Sequence, residues 1–303
     1  MARYLERAAN LVRLVSASQN YALLPEAIDQ HLPWQMTVAI ALDQPESPAD
    51  ADAAVKFLVL DRDHPSSLFN CIRQARDNAR TARHLLPDAY WEAVNTTWME
   101  MREIDSDALE QRGLAEILDW AAARLAWIRG CTEDILRGEV PHVMDAGTAL
   151  ERVDYLARLV ARCLPDLGPD TAKPGSVDHH RWKLLMSAGG TLEAYRRVVD
   201  QTGDVRASLD MLIFSPDVPR SLVHQLDRMA YAVRGFCGVE DPATAADAEA
   251  LSVACVALKD EPIAGLSAAL LRLVADGNAL SEHLQNEHFT LPLMQTQVQI
   301  ASV

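Results

Sequence analysis

Apolar residues recur at three- and four-residue intervals along most of this chain. Leu5, Ala8, Leu11, Val12 and Val15 share one face of a helix over residues 3–18, while Arg3, Glu6, Arg7 and Arg13 fall largely elsewhere. The same period predicts helices over 67–85, 89–103, 113–137, 145–163, 219–236, 244–258 and 262–286. Asp63-His64-Pro65-Ser66-Ser67 and Asp217-Val218-Pro219-Arg220-Ser221 read as helix starts. Asp serves there as the cap, and Pro sits in the first turn, where its missing N–H has no helical partner. Leu164 to Ser176 (LPDLGPDTAKPGS) reads as a loop, and Arg137-Gly138-Glu139-Val140-Pro141 as a second. Phe57–Leu60 and Met211–Phe214 suit either a strand or a buried helix end. Helix end is preferred, because an isolated pair of strands would have no sheet to join.

The pattern also repeats. Leu5-Glu6-Arg7-Ala8 through Arg13-Leu14-Val15 reappears as Leu150-Glu151-Arg152-Val153 through Arg158-Leu159-Val160. Trp34 then matches Trp182, Asp63-x-Pro65-x-Ser67-Leu68 matches Asp217-x-Pro219-x-Ser221-Leu222, and Gly113-Leu114 matches Gly265-Leu266. Each short match alone carries little, but the four are collinear. They predict an all-α fold: a duplicated helical bundle with two pseudo-twofold-related halves, about 1–138 and 147–288, within a single domain over 1–303. The period is far longer than that of a solenoid repeat. Phe289 to Val303 reads as a flexible tail.

Composition supports helices. Of 303 residues only 13 are Gly and 15 Pro, so turns are few, and aromatics at 6% are scarce for a β-sandwich or barrel. The formal charge of −15 disfavours nucleic acid or an anionic membrane as a partner. No run of 18 apolar residues appears, so no membrane span is expected, and the charged Met1–Arg7 does not resemble a signal peptide. Five scattered cysteines without a CxxC pair suggest neither a disulfide framework nor a zinc knuckle. A reduced, cytoplasmic protein is the expectation.

The Leu-Glu-Arg unit is the sharpest chemical feature. Adjacent Glu and Arg on a helix point about 100° apart, so each reaches toward a neighbouring helix rather than toward the other. Glu6, Arg7, Arg13, Glu151, Arg152 and Arg158 therefore suit one of two arrangements. One is a buried ion-pair network that fixes helix register. The other is a polar pocket at the pseudo-twofold axis, with Arg on a carboxylate or phosphate and Glu on an amine or a metal. The helix starts are candidate anion sites through Asp63, Ser66, Ser67, Asp217, Arg220 and Ser221, with plain capping as the alternative. Arg73, Arg76, Arg80 and Arg83 form a stripe that reads as a solvated face. His179, His180, His283 and His288 read as loop or surface residues, Gly189-Gly190 as a turn, and no pattern of metal ligands or of a cofactor loop is present.

Residues 3–15, 57–83 and 148–160, with the stretches around Glu193–Arg197 and Asp217–Asp227, resemble the bacterial Alpha-E family. That family is named for an all-helical domain with a recurrent Glu-Arg motif. The chain departs from it in beginning almost at its first Arg-Tyr-Leu-Glu-Arg and in Phe289 to Val303, which does not resemble the family's helical finish. Members are typically encoded beside circularly permuted ATP-grasp proteins and often near transglutaminase-like proteins. The resemblance therefore implies an accessory partner of an ATP-grasp peptide or amide ligase, one that presents a peptide or amino-acid substrate. A stand-alone enzyme or binding protein with a Glu/Arg-lined pocket, and a purely structural scaffold, are the alternatives. The resemblance carries over no catalytic residues and no cofactor.

Overall fold

A computed structural model describes residues 1–23, 32–42, 50–167, 176–198, 205–237 and 241–289. The fold is all-α, with no strand among the described residues. The helices are α1 (Ala2–Ala22), α2 (Leu32–Leu42), α3 (Ala51–Leu60), α4 (Leu68–Thr81), α5 (Asp88–Met101), α6 (Ser106–Arg112) and α7 (Leu114–Gly130), followed by α8 (Glu139–Cys163), α9 (Val177–Gly189), α10 (Leu192–Val198), α11 (Val205–Phe214), α12 (Leu222–Cys237), α13 (Pro242–Ala257) and α14 (Ile263–Leu284). Phe57–Leu60 and Met211–Phe214 are indeed helix ends. Most of the expected loop at 164–176, and the expected tail beyond Phe289, lie outside the described residues.

Two local expectations need correction. The second loop is shorter than its composition suggests. α8 begins at Glu139 and takes Val140 and Pro141 into its first turn, where a proline costs no hydrogen bond. The segment 138–147 is thus mostly helix. At the paired helix starts, serine rather than aspartate is the cap. Ser67 Oγ accepts from the Asn70 N–H at 3.1 Å and donates to the Asp61 carbonyl at 2.6 Å. Ser221 Oγ accepts from the His224 N–H at 3.1 Å and donates to the Ser215 carbonyl at 2.5 Å. Asp63 and Asp217 are exposed, and both prolines lie in the turn before the helix.

α1 and α8 are the central pair. Ala8, Leu11, Val12 and Val15 of α1 enter one core with α3, α4 and α7, whereas Leu14, Ala17 and Tyr21 enter a second core with α8, α9 and α11–α14. A third, smaller core joins Ala79, Tyr90, Val94 and Ile128. α1 packs on α9 as well as α8, and α8 on α2 as well as α9. Gly147 lets the two central helices approach closely, since a Cβ there would stand 3.4 Å from Arg3 Cγ and 3.8 Å from Ala2 Cβ. Ile263–His288 is the one described segment long and apolar enough to cross a membrane, although no unbroken apolar run marks it. Leu266, Leu270, Leu273 and Val274 of this segment are buried in the second core.

Candidate functional site

α1 carries Arg3, Glu6, Arg7, Asn10 and Arg13 at helical spacing on one stripe, and α8 carries Glu151, Arg152, Asp154, Tyr155 and Arg158. The crossing of the helices turns these stripes together, and the Glu-Arg units exchange partners. Arg7 binds Glu151 through two bonds, Nε to Oε1 at 2.6 Å and Nη2 to Oε2 at 2.9 Å. Arg152 Nη2 donates to Glu6 Oε2 at 3.0 Å. Neither Glu pairs with the Arg beside it in sequence, as the helical geometry requires.

Further arginines close around both carboxylates. Arg13 (3.2 Å) and Arg220 (2.9 Å) reach Glu6 Oε1, and Arg129 stands 3.6 Å from Oε2. Arg3 Nε reaches Glu151 Oε2 at 3.1 Å. Six arginines thus converge on two glutamates, each glutamate only 3% exposed. Arg158 takes a different partner, Asp154 one turn earlier at 3.1 Å. Sequence reasoning missed Arg3 and Arg129. Arg129 comes from the end of α7, and only the tertiary fold brings it to α1.

The electrostatics follow from this crowding. Burial disfavours the Glu6 carboxylate, but the charge and hydrogen bond of Arg152, then Arg220 and Arg13, outweigh it and hold the pKa down at about 2. Burial lowers Arg220 to about 10, with the Arg13 charge adding to the effect. Arg13 is lowered too, first by burial. For Arg7 burial is again the largest effect and acts downward, yet the Glu151 hydrogen bond and charge together raise its pKa. Burial raises Asp154 against the pull of Arg158. Gly190 seals the cationic side. It ends α9 in the left-handed conformation (φ +71°), and a Cβ there would lie 2.9 Å from Arg220 Cδ and 3.3 Å from Arg13 Cδ.

A cavity opens beside each crossed pair. The first, about 210 Å³, is lined by Arg7, Glu151, Asp154, Arg158, Asn10, Tyr155 and Ser66. Asn10 is 2% exposed and its Nδ2 has no partner among the described residues, while its Oδ1 accepts from Arg13 at 2.5 Å. The second, about 350 Å³, is lined by Glu6 and Arg152 with Arg129, Arg137, Asp145 and Arg228. Of the candidate helix-start residues, Arg220 bonds Glu6, and Ser66, at the matched position, lines the first cavity. Ser67 and Ser221 are spent on capping, and Asp63 and Asp217 face solvent. The arginine stripe, which runs along α4 and into the turn after it, is only partly solvated. Arg76 and Arg83 both lie over the Trp91 ring, at 5.8 and 5.2 Å, and bond Asn95 and Asp88 respectively. His179, expected at the surface, is buried in the first turn of α9.

An all-α bundle whose two central helices exchange Glu-Arg pairs, with a cavity beside each pair, defines the class of protein. A family model described as a predicted alpha-helical domain with a conserved ER motif matches residues 1–289, and the chain belongs to that family, Alpha-E. Glu6-Arg7 and Glu151-Arg152 are the only two Glu-Arg dipeptides in the sequence. No curated protein and no solved structure matches the chain.

Proposed function

We propose that the crossed Glu-Arg pairs seat a small ligand bearing both a carboxylate and an amine. In this reading the chain presents that ligand to an ATP-grasp ligase, which activates a carboxylate as an acyl phosphate and joins it to an amine. The carrying observation is that each crossed pair forms the wall of its own cavity. In the first cavity Arg7 and Arg158 suit a carboxylate, and Glu151 and Asp154 an ammonium group. The excess of arginine over carboxylate favours an anionic group in an otherwise acidic protein.

An internal duplication underlies this arrangement in our reading. The reciprocal Glu-Arg exchange supports it, as do the matching hydrogen bonds at Ser67 and Ser221, each serine donating to the carbonyl six residues before it. The Gly113/Gly265 match gives no such support, since Gly113 precedes α7 at φ +81° whereas Gly265 lies inside α14. An experimental structure in which 3–135 fails to superpose on 148–286, with Glu6 away from Glu151, overturns the duplication.

Calorimetric titration of the full chain with amino acids and dipeptides tests the seat. Binding is expected, weakened at least tenfold in Arg158→Ala. Co-purification of the full chain with an ATP-grasp ligase from the same cells tests the partnership. A second reading, that of a scaffold, is favoured by one observation: all four glutamate oxygens already accept from arginine. Absence of binding to every carboxylate tested, in a chain that still captures the ligase, selects the scaffold.

A further inference from the structure

Three helix ends meet at a point remote in sequence from the Glu-Arg units. Cys237 is the last residue of α12, Asp241 caps α13, and His288 lies in the turn that ends α14, 51 residues after Cys237. Their ligand atoms lie within 4.8 Å of one another. His288 Nε2 stands 3.5 Å from Cys237 Sγ and 3.2 Å from Asp241 Oδ2. One imidazole nitrogen therefore faces a thiol and a carboxylate together. A hydrogen on that nitrogen can point at only one of the two, whereas a cation at that point would engage all three groups.

We propose that Cys237, Asp241 and His288 form a three-ligand site for a divalent cation of the zinc class, with water in the fourth position. Tetrahedral zinc, with Zn–S ~2.3 Å and Zn–N and Zn–O ~2.0–2.2 Å, sets a sulfur–nitrogen edge of ~3.5 Å and a nitrogen–oxygen edge of ~3.4 Å. The two observed distances lie within about 0.2 Å of those edges, and the sulfur–oxygen distance, ~3.6 Å in such a tetrahedron, is here no more than 4.8 Å. The mixed sulfur, nitrogen and oxygen set selects against calcium and magnesium, which take oxygen ligands.

The surroundings fit the role. Thr244 fixes the carboxylate, its N–H donating to Asp241 Oδ1 at 3.1 Å and its hydroxyl to Oδ2 at 2.5 Å. His283 Nε2 lies 2.9 Å from that hydroxyl. The Phe236 ring meets the His288 ring edge-on at 5.9 Å and limits its rotation. Such outer contacts orient ligands in metal sites generally. Cys237 is buried, while the His288 and Asp241 side chains remain about a quarter exposed, so the open position faces solvent. The metal would tie the ends of α12, α13 and α14 together.

Cobalt(II) titration of the chelator-treated full chain tests this. We expect one equivalent to bind, with a thiolate-to-cobalt band in the near ultraviolet and the visible bands of tetrahedral cobalt, and zinc to displace it. Cys237→Ser should abolish the thiolate band. Asp241→Asn, which keeps the helix cap, and His288→Ala should each weaken binding at least tenfold while the circular dichroism stays that of wild type. Absence of the band in wild type, its persistence in Cys237→Ser, or unchanged affinity in the other two variants overturns the proposal.

Discussion

Glu6→Gln removes one charge and almost no volume from the centre of the bundle. The carboxylate is 3% exposed and meets Arg152, Arg220 and Arg13 within 3.2 Å. Its pKa falls from 4.5 to about 2, because those guanidiniums more than offset burial. At ~1.4 kcal/mol per pKa unit, that shift corresponds to about 3 kcal/mol of stability. The folded pKa is depressed, so the contribution is complete above pH 4.5, falls as the pH drops toward 2, and is gone below that. The neutral amide keeps part of the hydrogen bonding but leaves three guanidiniums facing one another, consistent with the ~3–5 kcal/mol lost when a buried pair is broken. For a chain of this size roughly 2 °C is lost per kcal/mol, so Glu6→Gln should melt about 6–10 °C below wild type at pH 7. Melting followed by circular dichroism at pH 7, 5, 4 and 3 reads both effects. The gap between the two proteins should be constant from pH 7 to 5 and narrow below 4.5. Coincident melts at pH 7, or an undiminished gap at pH 3, would refute the assignment of Glu6 as the charge that holds the arginines together.

Arg7→Lys should lower stability by about 1 kcal/mol or more, because an ammonium group cannot reproduce the two parallel bonds to Glu151. Arg152→Lys should also destabilise, and thermal melts coincident with wild type in both variants would remove the architectural role. Changing Glu151 and Arg7 together to apolar residues should cost less than either single change, as read by a double-mutant cycle in urea. Gly190→Ala should lose at least ~1–2 kcal/mol from the left-handed backbone alone and displace the Arg220 side chain. The pure chain should hydrolyse no ATP, since its sequence holds no phosphate-cradling glycine loop. Single-turnover cleavage that one substitution in this chain abolishes would contradict that.

Periodicity located the long helices well, because α1, α4 and α12 each bury one stripe and show the other to polar surroundings. It did not locate α9, which is buried on most sides, nor α2, whose Leu32–Leu42 segment is apolar nearly all round, nor α6 and α10, which span only seven residues each. The start of α8 was obscured by Gly138 and Pro141, two residues that signal a loop yet are tolerated at a helix start. The crossed pairing was legible because adjacent helical residues diverge. Its full membership was not, since Arg129 enters from another helix and Arg220 from a turn far along the chain. The Cys237, Asp241 and His288 cluster has no sequence signature at all, because its spacing is created by the packing of three helix ends.

The partner of Glu6 at Arg220 lies 214 residues downstream. A ribosome adding ~5–20 residues per second needs roughly 10–40 s to make that interval. For most of it the emerging first helix holds a carboxylate met only by Arg13 and later Arg129, because Arg152 follows 146 residues after Glu6. The N-terminal helices can collapse on their own apolar face, but the set of arginines around Glu6 is complete only after Arg152 and then Arg220 have emerged. Completion of the native centre is thereby coupled to synthesis of the later half, and a chain stalled before residue 152 lacks both Arg152 and Arg220, the two arginines nearest Glu6.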